Sequence, residues 1–267
     1  MYLPRFALLT IVAASVLAAD PAEAPTPTVR GGLPGYDLTW QDEFATGTVD
    51  TTRWSFRTDP SIWSAQQRQN VAVADGNLLI HLRKEDVAGK AYTGGGVISK
   101  ATFRGGFFEA RLRIPAGAGW HTSFRLSMPN APEGASGISA LREVSLFEND
   151  SITGNRSMVL LSVMAGKKAN AGGKTVTTEG LATDFHVFGA EFTDRLITFY
   201  RDGEVQQVVD LTHLSVKDAP VLSVTPGDYR LWFSCVAANL GGTTAVDDAK
   251  LPATLAIDYV RVFAAKL

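Results

Sequence analysis

The chain has 267 residues, 25 basic and 27 acidic side chains, a formal net charge of −2, four histidines and one cysteine. Acids and bases are interspersed and no Lys/Arg block alternates with aromatics, which argues against a nucleic-acid surface. The histidines show no HExxH or His/Cys pairing, which argues against zinc, and a lone Cys235 cannot close an internal disulfide.

Residues 1–24 carry Arg5, an apolar run from Phe6 to Leu17, and small residues at Ala18, Ala19, Ala22 and Ala24. This pattern predicts a cleaved signal peptide and a secreted or periplasmic location. The apolar run is shorter than the roughly 20 residues a membrane span needs, and Asp20-Pro21 ends it. Residues 25–35, opening with Pro25, Thr26, Pro27 and Thr28, read as an extended linker. Residues 36–267 then suit one large all-β domain.

Alternating segments recur from there: Asn77–Arg83, Gly106–Ile114, Leu141–Phe147, Met158–Met164, His186–Phe192, Leu196–Arg201, Tyr229–Val236 and Leu255–Phe263. Turn pairs such as Asp75-Gly76, Asp202-Gly203 and Pro226-Gly227 divide them, and no segment holds a helical period, so the expectation is a two-sheet sandwich or barrel. Asn130–Ser139 and Ala165–Lys174, rich in Gly, Ala and Lys, read as loops bordering a site. Cys235, inside Leu231–Val236, reads as a buried inert thiol.

Arg142-Glu143-Val144-Ser145-Leu146-Phe147-Glu148 places two acids in an otherwise apolar strand. By period two, Glu143 and Ser145 share a face and Glu148 points away. A bulge near Leu146-Phe147 would return Glu148 to that face. The two carboxyls could then stand about 5 Å apart, as in retaining glycosidases. The alternative is two acids at a strand end, paired with Arg142 or solvated.

Several stretches in order resemble glycoside hydrolase family 16, the laminarinase, lichenase, agarase and carrageenase group. They are Leu38-Thr39-Trp40-Gln41-Asp42-Glu43-Phe44, Asn70 to Leu78, Tyr92 to Lys100, Gly106 to Arg111, Phe185 to Phe192, Ile197 to Gly203 and Ile257 to Phe263. The resemblance implies a concanavalin A-like jelly roll of two antiparallel sheets with a concave glycan cleft. It implies an endo-acting, retaining hydrolase of a β-linked polysaccharide, with Glu143 as nucleophile and Glu148 as general acid/base. The family strand reads E-x-D-x-x-E, and here the central Asp is Ser145. A non-hydrolytic carbohydrate-binding protein is therefore the second expectation.

Substrate-binding candidates are Trp63, Arg68, Asn70, Trp120, His121 and Arg125. Arg125 stands where the family has a sugar-stacking Trp. Alternation places His121, Ser123 and Arg125 on one face and Trp120, Thr122 and Phe124 on the other. A cation in the cleft would suit an anionic polysaccharide, unless Arg125 pairs with Glu148 or Glu133. Trp40, Trp54 and Trp232 read as core. By resemblance, Glu43, Gly76 and Asp258 are candidate ligands of a structural calcium, with no cofactor for catalysis and a monomeric state expected.

Overall fold

Strand forms wherever one parity of the chain is apolar. In Asn77–Leu82, Leu78, Ile80 and Leu82 are fully buried while Asn77, Leu79 and His81 are half-buried, the period-two pattern of a strand with one face on a core. The computed structural model describes residues 34–61, 63–128, 141–151, 158–165, 169–213, 215–216, 219–220, 228–238 and 245–266. The predicted signal peptide, nearly all of the linker and the 130–139 loop lie outside these residues.

In chain order the first strands are β1 (Tyr36–Asp42), β2 (Trp54–Phe56), β3 (Pro60–Ser61), β4 (Ser64–Gln66), β5 (Val71–Ala74), β6 (Asn77–Leu82), β7 (Tyr92–Ser99), β8 (Gly106–Arg113) and β9 (Trp120–Ser127). Then come β10 (Leu141–Asp150), β11 (Met158–Ala165), β12 (Ala169–Thr177), β13 (His186–Phe192), β14 (Leu196–Arg201), β15 (Glu204–Asp210), β16 (Ser215–Val216), β17 (Ala219–Pro220), β18 (Arg230–Ala237) and β19 (Ala253–Ala265). All eight segments expected from alternation are among them. The stretch 165–174 corrects the sequence: it is not simply a loop, because β12 starts at Ala169 and pairs along β11, with Ala169 opposite Ala165.

An eight-stranded sheet runs β15-β14-β13-β8-β19-β6-β5 with β1 on β19, and a nine-stranded sheet runs β12-β11-β10-β9-β18-β7-β4-β3 with β2 on β7. Pairing is antiparallel except for β4 on β7. Strands far apart in sequence are neighbours, β8 beside β19 and β9 beside β18, which is the long-range pairing of a jelly roll. Aromatics join the layers. Phe124 stacks on Phe233 at 4.7 Å within the nine-stranded sheet, and Phe147 meets Phe188 of the other sheet at 4.8 Å. Each fully buried ring contributes roughly 1.5–3 kcal/mol of transfer free energy. Cys235 is fully buried in this core, and burial pushes its thiol up to about 12.

Candidate active site

Strand β10 lies between β9 and β11 and carries both acids. Against β9, Val144 faces Leu126, Ser145 faces Arg125, Phe147 faces Phe124 and Glu148 faces Ser123, with the register shifting between Ser145 and Phe147. Leu146 and Phe147 are both fully buried. Two consecutive apolar side chains thus enter the core, the chain bulges, and Glu148 emerges on the face of Glu143 and Ser145. The parity assigned to β9 also holds. Phe124 and Leu126 are in the core, while His121, Ser123 and Arg125 face away from it.

Arg125 links the acids. Its Nη1 stands 3.2 Å from Glu143 Oε2 and 3.9 Å from Glu148 Oε1. Ser145 Oγ donates to Glu143 Oε1 at 3.3 Å. Burial raises the pKa of Glu143; Arg125 opposes the shift, Glu148 adds to it, and Ser145 and His121 work against it. Burial also raises Glu148, against Arg125 and Ser145. His121 Nε2 lies 3.9 Å from Glu148 Oε1. Burial, then the Arg125 charge, lowers His121 to about 4 against Asp150 and Glu143, so the imidazole is neutral at neutral pH.

The same face continues onto β18 and β7. Trp232 pairs with Arg125 on one side and Ile98 on the other. The guanidiniums of Arg125 and Arg57 each lie over its ring, 4.7 Å from the centroid. Arg57 is buried and forked onto Asp59, with Nε at 3.0 Å and Nη2 at 2.6 Å from the two carboxylate oxygens. A Cβ on Gly96 would lie 2.6 Å from Phe233 O and 2.8 Å from Arg57 Cδ, so glycine there leaves room both for the β18 backbone and for the Arg57 side chain. The row Asp59, Arg57, Trp232, Arg125 and the two glutamates crosses the strands as one chain of charge and π contacts.

Residues 59–259 match the family model of glycosyl hydrolases family 16. The chain belongs to this family. It is a glycoside hydrolase. The beta-glucanase of Rhodothermus marinus is 26% identical over 284 residues, spanning 97% of this chain and 93% of its own. A keratan-sulfate endo-1,4-beta-galactosidase of Sphingobacterium multivorum is 26% identical over 249 residues, spanning 85% of this chain and 55% of its own. The solved laminarinase from Rhodothermus marinus shares the fold, with a TM-score of 0.75 at 24% identity over 87% of this chain and 98% of that one.

Within the family 16 fold, four expectations from sequence change. Trp120 is not a cleft residue: it is fully buried in the core, as its parity with Phe124 requires. Asn70 is likewise buried, and its Nδ2 donates to Gly94 O at 2.9 Å, tying a turn to β7 rather than meeting a sugar. Arg68 lies over the Phe56 ring at 4.7 Å. It lines a separate cavity with Gly47, Thr48 and Val73, away from the glutamates. Trp232, read as core, is half-buried on the site face. Leu231, Phe233 and Cys235 are all apolar, so alternation could have placed Trp232 and Ser234 outward; the apolar indole hid the signal. Trp63 is half-buried against the core, and its backbone N–H donates to Ala237 O at 3.1 Å, at the His121 end of the site.

Glu43 and Asp258, two of the three calcium candidates, are each engaged by an arginine. Arg261 forks onto Glu43, Nε to Oε1 at 2.8 Å and Nη2 to Oε2 at 3.1 Å. Arg111 Nη1 holds Asp258 Oδ2 at 2.5 Å. Each of these carboxylates already faces a guanidinium, which disfavours a divalent cation beside it.

Proposed function

We propose that this chain is an exported, monomeric, endo-acting hydrolase of a neutral β-glucan, working with retention of configuration. The observation that carries the reading is the bulged β10, which presents Glu143 and Glu148 on one face with a single nitrogen 3.2 and 3.9 Å from them. A nitrogen within reach of both acids keeps those two oxygens within about 7 Å of each other, a spacing that admits the ~5–5.5 Å of retaining enzymes and lies below most of the roughly 6.5–9.5 Å range of inverting ones.

Glu143 attacks the anomeric carbon while Glu148 donates its proton to the leaving glycosidic oxygen, giving a glycosyl ester on Glu143 and a free chain end. Glu148, now ionised, takes a proton from water as that water attacks the same carbon and releases Glu143. Burial equips Glu148 for the acid role by raising its pKa. The relatives named beta-glucanase and laminarinase support the glucan. Arg57 and Arg125 are both engaged by carboxylates, which favours a neutral sugar over an anionic one. Export rests on the N-terminal pattern. The monomer rests on the small number of large apolar side chains exposed among the described residues, Leu38, Val205 and Val208.

The test is release of reducing ends from neutral β-glucans and from a sulfated polysaccharide, with Glu143→Gln alongside. Release confined to the neutral glucans and abolished by Glu143→Gln is expected. Release unaffected by the substitution would overturn the nucleophile; retention of glycan without release would make this a binding protein.

A further inference from the structure

Arg125 and Ser145 are twenty residues apart in sequence yet stand directly opposite in the β9–β10 register. Serine is short, so the arginine stem crosses it freely and the guanidinium reaches the space between the acids. Its plane is fixed by the Trp232 ring beneath, which Arg57 covers as well. The result is asymmetric. Ser145 bonds both acids, donating to Glu143 Oε1 at 3.3 Å, but the cation is unevenly placed: Arg125 Nη1 stands 3.2 Å from Glu143 Oε2 and 3.9 Å from Glu148 Oε1.

We propose that Arg125 is a positioning residue that decides which glutamate carries the shared proton, holding Glu143 as the anion and leaving Glu148 as the acid. The assignment rests on the retaining roles given above. Two crowded, desolvated carboxyls cannot both ionise easily, and the one nearer a fixed cation loses its proton first. Their titrations are coupled, so the cation selects the microstate. The other charged or titratable groups around the pair, among the described residues, are His121 on β9, Asp150 on β10, and Arg57 with Asp59 beyond Trp232. His121 is neutral at working pH, and Arg57 is forked onto Asp59. Arg125 is therefore the cation that distinguishes the two acids.

The experiment is a carboxyl ¹³C NMR titration of the full chain labelled at glutamate, with Glu143→Gln and Glu148→Gln giving the assignments. In the parent, Glu143 should titrate below Glu148 by about one pH unit, a tenfold preference. Arg125→Met should raise Glu143 more than Glu148 and close the gap, and Arg125→Lys should keep the order. In the pH profile of kcat/KM, Arg125→Met should move the acidic limb up further than the alkaline limb, narrowing the bell. Glu148 titrating first in the parent, or a gap unchanged in Arg125→Met, would overturn the proposal. The parent's order decides even where Arg125→Met does not fold. The titration needs no turnover, so a protein that releases no reducing ends would sink the hydrolase reading without touching this result.

Discussion

The two faces of the sandwich each carry one arginine between two glutamates over an aromatic ring, and the two sets behave differently. On the eight-stranded sheet Arg261 is 3% exposed, forks onto Glu43 at 2.8 and 3.1 Å, stands 3.8 Å from Glu109, and lies 3.9 Å over Tyr259. On the nine-stranded sheet Arg125 is 21% exposed and reaches its glutamates through one nitrogen at 3.2 and 3.9 Å. Burial opposes the charge of Arg261, but the Glu43 hydrogen bond and charge outweigh it and raise its pKa. Around Arg125 the balance is reversed, and burial leaves both acids raised. A matched fork fixes charge and builds structure. An unmatched cluster leaves a proton with two places to go, which is what the proposed acid and nucleophile roles need.

Breaking each cluster should therefore give opposite symptoms. Glu143→Gln should lower turnover at least about a thousandfold with the fold intact, measured by reducing-end release and circular dichroism. Arg261→Met should do the reverse. It should cost about 3–5 kcal/mol in denaturant unfolding, because a carboxylate is stranded in the protein, while kcat/KM of the remaining folded protein stays within about threefold.

Acid pH should next separate the groups within the Arg125 face. His121 has its pKa lowered from 6.5 to about 4, so between those values the unfolded chain binds a proton that the native protein refuses. Stability should fall as pH drops through that window, by at most about 3 kcal/mol, and His121→Gln should flatten the fall in Tm. For Glu143 and Glu148 the sign is opposite. Their raised folded pKa values make the native state bind protons more tightly, so their contribution to stability is lost as pH rises above 4.5 through the folded values. Glu143→Gln should accordingly unfold less readily than the parent at neutral pH, though not at pH 4. The smallest effect sharpens the comparison: Ser145→Asp sets a carboxylate opposite Arg125, draws the guanidinium from Glu143, and should lower kcat/KM about tenfold. A rise in hydrolysis from that substitution would show instead that the site lacks a needed acid.

Strands were legible because burial imposes them locally. Leu146-Phe147 between two acids admits an extra inward residue, but spacing left two solvated strand-end acids open as well, and it was the resemblance to an E-x-D-x-x-E strand that pointed to the bulge the register shows. The placement of Arg57 over Trp232 was not legible, because it depends on which strands become neighbours, whereas its fork onto Asp59 spans only two residues. Asn70 and Trp120 show the converse error. A polar amide and an indole both read as ligand contacts, yet one satisfies a buried carbonyl at Gly94 and the other fills the core. Glu43 and Asp258 carried a resemblance to a metal site, but their arginine partners lie 218 and 147 residues away in sequence.

The single cysteine gives the protein its own unfolding probe. Cys235 is fully enclosed, with its thiol held protonated far above neutral pH, so a thiol-specific reagent should meet no reactive sulfur in the native protein. Modification then requires the sandwich to open. The labelling rate across denaturant reads the opening free energy of the sheet that bears Glu143 and Glu148, with no engineered tag and no competing disulfide within the chain.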